Sequence, residues 1–255
     1  MIFGYIHQGS GIGNQLHRYI ATRVKAEELG TDWRMIYNPD NSGKDWGFKA
    51  KFITFDSHKL VNANDYEWSG YRRFNEKKIT EHGIDVRSYD PEWNFIEDNT
   101  VIDGEFQDER YWERNDGDVG YWLRTEPLDI PDYTCVIGFR GGEFSLYPDL
   151  FLGRDYYERA MDLMVEKYGI KKFEVHTDDP VLAKEFFGDV PVVNNPEINW
   201  RSMRWARYAI VANSSFFILP RWLNGVATIA PRCWGRRNMG VWSLPQNYYK
   251  RFTYI

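Results

Sequence analysis

Short apolar runs alternate with amphipathic stretches along most of the chain, a pattern that predicts a parallel α/β architecture with helices on both faces. Ile2–Ile6 is the first such run and reads as a strand. A glycine-rich loop follows, then a helix over 14–29 with Leu16, Tyr19, Ile20, Val24 and Leu29 as its buried stripe and Gly30 as its stop. Residues 33–37 and 100–103 read as further strands, whereas 38–98 hold few periodic runs among many polar and aromatic residues. The polar stretch Asn115–Asp132 reads as a linker.

The second half is more regular. Tyr133–Phe139 reads as a strand. Asp155-Tyr156-Tyr157-Glu158 has capping-box spacing and opens a helix with Tyr157, Ala160, Met161, Met164, Val165 and Tyr168 at helical intervals, capped by Gly169. Phe173–Thr177 predicts a strand, and Asp179-Pro180 an N-cap with proline at the first helical position, before a helix over 181–187. Val190–Val193, Tyr208–Ala212 and Val226–Ala230 read as strands, with helices over 200–207 and 215–223 between them. The expected organisation is therefore two Rossmann-like α/β halves, 1–120 and 131–255, with a cleft between them.

Composition narrows the function classes. A 255-residue chain with 43% hydrophobic and 27% charged residues can build a full core, and a net charge of −5 argues against a nucleic-acid or anionic-membrane partner. Aromatic residues make up 17%, which suits sugar faces but also ordinary core filling. Two cysteines, Cys135 and Cys233, form neither a disulfide framework nor a zinc motif, and fit a reducing compartment. No run is long and apolar enough to span a membrane, and Met1–Ile6 lacks the basic stretch of a signal peptide, so a cytoplasmic location is expected.

Four loops could carry chemistry. Gly9-Ser10-Gly11-Ile12-Gly13-Asn14-Gln15 joins a strand to a helix, where backbone N–H groups and the helix dipole attract anions; a plain tight turn is the alternative. It is shorter than the dinucleotide fingerprint, and no acidic residue ends the next strand, which disfavours a nicotinamide enzyme. Gly138-Phe139-Arg140-Gly141-Gly142-Glu143 ends a strand with a guanidinium able to grip phosphate and glycines that would admit it, or it is a surface ion pair. His176-Thr177-Asp178-Asp179 offers Asp178 to a ligand and Asp179 to a cap. Asn213-Ser214-Ser215 is a phosphate seat or a capping serine. Asp116-Gly117-Asp118 matches a Mn²⁺-holding D-x-D, though an Asp-Gly pair is more often a turn.

Together these loops resemble the α-1,2-fucosyltransferases. Gly11-Ile12-Gly13-Asn14-Gln15-Leu16 is similar to that family's G-x-G-N-Q opening, and Ile102-Asp103-Gly104-Glu105-Phe106-Gln107 to its D-G-Y-F-Q stretch. Gly138–Glu143 sits where the family has H-x-R-x-G-D, Thr177-Asp178-Asp179-Pro180 resembles its S-D-D-P, and 199–215 resembles the segment ending in A-N-S-S. The resemblance implies a GT-B-like fold and inverting, metal-independent transfer, without a cofactor, from a nucleotide sugar (GDP-fucose) to a glycan acceptor. Arg140, Ser214 and Ser215 would hold the donor diphosphate. Gly11, Gly13, Asn14 and Gln15 would lie at the donor sugar. Gly141, Asp178 and Asn213 would line the donor pocket, and Asp103, Glu105 and Gln107 the acceptor side. Arg140, Glu143 and Asn14 would serve catalysis, with Glu143, Asp103 and Glu105 as candidate general bases.

The chain departs from the family at Gly138, where the motif has histidine, at Glu143, where it has aspartate, and at Asn199, where a base-reading carboxylate is expected. Glu197 is a nearby substitute. The competing readings are a transferase of the same fold using another nucleotide sugar, and a nucleotide- or glycan-binding protein without catalysis.

Overall fold

The structure is a computed structural model that describes residues 1–7, 10–37, 52–53, 57–81, 84–87, 89–148, 150–224, 226–232 and 249–255. Gly9 and Cys233 lie outside the described residues. The chain divides into two compact units, Met1–Arg124 and Thr125–Ile255.

The first unit is built on β1 (Ile2–Tyr5), α1 (Ile12–Glu28), β2 (Trp33–Tyr37), β3 (Leu60–Asn62), β4 (Arg72–Asn75), the antiparallel pair β5 (Lys78–Glu81) and β6 (Ile84–Arg87), β7 (Thr100–Asp103) and α2 (Asp116–Trp122). Its main sheet runs β3-β2-β1-β7-β4, all parallel. α1 buries Leu16, Tyr19, Ile20 and Val24 as the periodicity predicts, and Gly30 ends it at φ +62. Leu29 is 39% exposed and stands off that stripe. The face with Phe3, Ile36 and Val101 is packed by Tyr66, Trp68 and Tyr71, so many aromatic residues of the unreadable middle region are core filling.

The second unit contains β8 (Thr134–Phe139), α3 (Arg154–Tyr168), β9 (Lys172–Thr177), α4 (Pro180–Phe187), β10 (Val192–Val193), α5 (Pro196–Trp205), β11 (Tyr208–Ile210), α6 (Ser215–Asn224), β12 (Thr228–Ala230) and β13 (Thr253–Tyr254). The sheet order β10-β9-β8-β11-β12-β13 is entirely parallel and has the doubly wound Rossmann arrangement. The order of winding reverses between β8 and β11.

Three sequence expectations are corrected here. Asp155 is not an N-cap: α3 begins at Arg154 behind Gly153, and Asp155 lies in its first turn with its carboxylate 3.7 Å from Arg159. The expected linker contains α2, whose Val119 and Trp122 are buried. The parallel sheet does not close at Ala230, because β13 adds beside β12. Arg221, inside α6, is fully buried without an acidic partner among the described residues. It donates to Thr228 Oγ1, to the Met203 and Ala206 carbonyls at 2.9 and 2.6 Å, and to the Ala227 carbonyl, so one guanidinium ties α6 to α5 and β12. Burial among these neutral acceptors pushes its pKa down to about 10.

Candidate functional site

In the second unit the candidate residues gather at the carboxyl ends of β8, β9 and β11, the edge where open α/β sheets bind ligands. Arg140 leaves β8 directly. Its Nη1 lies 2.6 Å from Asp178 Oδ2, its Nη2 3.7 Å from Glu143 Oε1, and its guanidinium 4.8 Å from the centre of the Phe144 ring. The Nε is buried with no hydrogen-bond partner among the described residues. Asp178 also accepts from the Gly141 N–H at 3.1 Å, so one carboxylate orients both the arginine and its loop. Glu143 is 72% exposed and contributes little to that orientation.

The two glycines have a different reason from the one expected. A Cβ on Gly141 would lie 2.5 Å from Asp179 Cβ, and one on Gly142 2.5 Å from Asp178 Oδ2. They let the β8 and β9 loops meet, which is what brings Asp178 onto Arg140. Gly138 is excluded from carrying a side chain in another way: its Cβ would come within 2.7 Å of the Phe217 ring. Phe217 therefore occupies the space a histidine at this position would need.

Asp179 caps α4 as expected, accepting from the Leu182 N–H at 3.0 Å. At the β11 end, Ser214 and Asn213 are buried and Ser215 opens α6. The Ser214 carbonyl accepts from the Phe217 and Ile218 N–H groups, which is ordinary helix initiation. Asn213 Nδ2 donates to the Leu150 carbonyl at 3.0 Å, and its Oδ1 is buried without a partner among the described residues.

Asn199 is not presented to a ligand. It is 3% exposed; its Nδ2 donates to the Thr177 carbonyl at 3.1 Å and its Oδ1 lies 3.0 Å from His176 Nδ1. His176 Nε2 in turn lies 2.9 Å from Glu174 Oε1. Both ends of the Asn199 amide are thus engaged within the fold, pinning α5 to the end of β9, and neither is left for a nucleobase. Glu197 lies in the first turn of α5, half exposed and 3.5 Å from Arg201 Nη1.

The first unit has its own cluster, at the carboxyl ends of β1 and β7. Gln107 Nε2 donates to Asn14 Oδ1 at 2.9 Å, linking the start of α1 to the turn after β7. Arg18, only 2% exposed, donates to Glu105 Oε1 at 2.6 Å and to the Tyr5 carbonyl at 3.2 Å. Asp103 Oδ1 lies 2.5 Å from His7 Nε2. Buried Glu76 accepts from the Glu105 and Phe106 N–H groups at 2.7 and 3.2 Å, holding this turn with Phe106 at φ +49. Gly11 precedes α1 at φ −67 with open space where a Cβ would stand, so no strained turn demands glycine there. Gly13 and Gln15 are buried; Gln15 donates to the Ser10 carbonyl and the Gly13 carbonyl accepts from His17 Nδ1.

His7, Glu76 and Arg18 are absent from the sequence-level set. His7 had a signal, since it follows β1 as Arg140 follows β8. Glu76 and Arg18 had none, because their roles depend on pairing between strands and helices far apart in the chain. Asp116 and Asp118 fall in the first turn of α2, and no group of three or more potential ligating side chains is found among the described residues. Among the described residues, no helix is long and apolar enough to cross a membrane. Cys135 is buried in β8, where desolvation pushes its thiol up to about 12.

No family model matches the chain, and a search of curated proteins finds no match. Solved structures do. E. coli heptosyltransferase WaaC with ADP-2-deoxy-2-fluoro heptose aligns over 100% of this chain and 92% of its own length, with a TM-score of 0.53 at 10% identity. The same E. coli enzyme with ADP aligns over 99% and 92% at a TM-score of 0.49 and 12% identity, and POFUT1 in complex with GDP over 86% and 92% at 0.46 and 9%; these two scores add no weight. At such identities the likeness speaks to fold alone. Together with the two parallel sheets, it establishes a GT-B-like α/β fold of two Rossmann-like halves.

Proposed function

We propose that the chain is a glycosyltransferase that moves a sugar from a nucleoside diphosphate sugar, with GDP-fucose as the first donor to test, to a glycan hydroxyl with inversion and without a metal ion. The observation that carries the reading is Arg140. It sits at the carboxyl end of β8 beside the strand-order switch, held by Asp178, with a buried Nε that has no partner among the described residues. A guanidinium so placed can receive a diphosphate bidentately. The loop Asn213-Ser214-Ser215, with the start of α6 behind it, completes a polar seat on the neighbouring strand end.

Breaking the anomeric C–O bond leaves negative charge on the departing diphosphate as the sugar becomes oxocarbenium-like. Fixed positive charge and N–H dipoles lower that barrier because they need no reorganisation as the charge develops. In this reading Arg140 does the work a metal ion does elsewhere, with Asp178 keeping the guanidinium oriented and Ser214 and Ser215 donating to phosphate oxygens. Asn14 and Gln107 line the sugar-binding side of the first unit. The fucosyl and GDP assignments rest on the motif resemblance.

The test is release of GDP from GDP-fucose, with ADP-heptose and UDP-galactose alongside, with and without EDTA. Turnover that survives EDTA and falls at least tenfold in Arg140→Lys supports the reading. Turnover abolished by EDTA and restored by Mn²⁺, or unchanged in Arg140→Lys, overturns it.

A further inference from the structure

We infer that Glu143 is a displaceable counter-ion of the diphosphate seat. It stands against Arg140 while the seat is empty, moves aside when a diphosphate enters, and makes the site favour a nucleotide sugar over the nucleoside diphosphate released from it. The inference rests on the transferase reading above and lies wholly within the second unit.

The surroundings of Arg140 show which part of its guanidinium is left for a ligand. Nη1 is ion-paired with Asp178 Oδ2 at 2.6 Å, and the Phe144 ring lies 4.8 Å from the guanidinium carbon. Nε and Nη2 form one edge of the planar fork, the edge that can take two oxygens of one phosphate. Nε has no hydrogen-bond partner among the described residues, and Glu143 Oε1 stands 3.7 Å from Nη2, too far for a hydrogen bond. A short 3₁₀ turn over Glu143–Leu146 brings that carboxylate back beside the arginine. The Ser145 N–H donates to the Gly141 carbonyl at 2.8 Å and Ser145 Oγ to the Gly142 carbonyl at 2.9 Å.

The two carboxylates around Arg140 are thus unlike. Asp178 is two-thirds buried, close to Nη1, and tied to the loop through the Gly141 N–H at 3.1 Å. Glu143 is 72% exposed and makes only a long ion pair, so little is lost when a phosphate takes its place. Asp178 orients the guanidinium, and Glu143 occupies the approach to the edge that the ligand needs.

This placement distinguishes substrate from product by charge. In a nucleotide sugar the outer phosphate is esterified to the anomeric carbon. Once that bond breaks, the released diphosphate has a terminal phosphate whose second ionisation falls near about pH 6, so at neutral pH it carries more negative charge than the nucleotide sugar did. A carboxylate at the edge of the seat repels both ligands, and the released one more strongly.

The experiment is calorimetric titration of the full chain with GDP, GDP-fucose and inorganic pyrophosphate, at about 0.05 M and about 0.5 M salt. It compares wild type with Glu143→Gln and Glu143→Ala; alanine removes the charge without adding an amide donor. Glu166→Gln, near the carboxyl end of α3 and so at the opposite edge of the sheet, controls for the loss of one negative charge. Both Glu143 variants should bind GDP and pyrophosphate about two- to fivefold more tightly than wild type at low salt and GDP-fucose by a smaller factor, with the gain gone at high salt and the melting temperature unchanged. Glu166→Gln should match wild type. Variants that bind GDP no more tightly than wild type, a gain as large for GDP-fucose as for GDP, or an equal gain in Glu166→Gln overturns the proposal. Tighter pyrophosphate binding in both variants, with no nucleotide bound better than pyrophosphate, keeps the counter-ion and overturns the transferase reading. Chains that bind none of the three ligands overturn both.

Discussion

Acid should weaken the first unit through one buried histidine. His17 lies on α1 with no exposure; its Nδ1–H donates to the Gly13 carbonyl at 2.8 Å, and its Nε2 is buried without a partner among the described residues. The Trp112 ring packs against it at 5.0 Å. Desolvation outweighs the carbonyl bond and pushes its pKa from an ordinary 6.5 down to about 4. The sign follows directly. As pH falls below 6.5 the unfolded chain takes up a proton that the folded chain refuses until about pH 4, so stability falls across that window. The difference between the two values sets a ceiling of about 3 kcal/mol, of which about 2 kcal/mol is lost between pH 7.5 and pH 5. Urea titrations of wild type and His17→Leu at those two pH values isolate the effect, because every other titrating group is common to both. Wild type should lose about 2 kcal/mol more than the variant on acidification, a shift of about 1 M in urea midpoint. Equal losses in both proteins would refute the reasoning.

Asn199→Ala should leave the His176 Nδ1–H and the Thr177 carbonyl unpaired in the interior and lower stability by about 2–5 kcal/mol, read by thermal melting. Asn199→Asp should not sharpen preference for GDP over ADP, UDP or dTDP in calorimetry, because that side chain faces His176 and Thr177; a widened preference would show that it reads the base. Gly138→Ala should overpack against Phe217 and cost about 1–3 kcal/mol, with Phe217→Leu in the same chain recovering part of it; an unchanged melting temperature would contradict the geometry. Gly142→Ala should displace Asp178 from Arg140 and weaken GDP binding more than it lowers melting temperature, and equal GDP affinity would contradict it.

The readable parts of the sequence were those whose signal is local. The apolar runs 33–37 and 100–103 coincide with β2 and β7, and Gly30, Gly169 and the Asp179-Pro180 pair mark helix ends by backbone chemistry that neighbours cannot alter. Asp155 misled because the same spacing that makes a capping box also occurs one residue inside a helix whose cap is glycine. β13 is two residues long and exists only by pairing with β12, so no window of sequence could announce it. At the site, Arg140 and Asp178 were legible as strand-end residues, and the structure brings them together. The surroundings of Asn199 were not legible, because a polar side chain on a helix looks alike whether it faces a ligand or, as here, bonds a neighbouring strand. Glu76 and Arg18 were passed over because each acts on a partner nearly thirty or more residues away.

The central claim is that the β8 end of the second unit binds a nucleoside diphosphate through Arg140. Calorimetric titration of GDP, ADP, UDP and dTDP into wild type and Arg140→Lys tests it without knowledge of the acceptor. The account predicts that GDP binds wild type and that Arg140→Lys, which keeps the charge but loses the bidentate fork, weakens it roughly ten- to a hundredfold, equivalent to about 1.5–3 kcal/mol, with an unchanged melting temperature. Wild type that binds none of the four, or an Arg140→Lys variant that binds GDP as tightly as wild type, would contradict it.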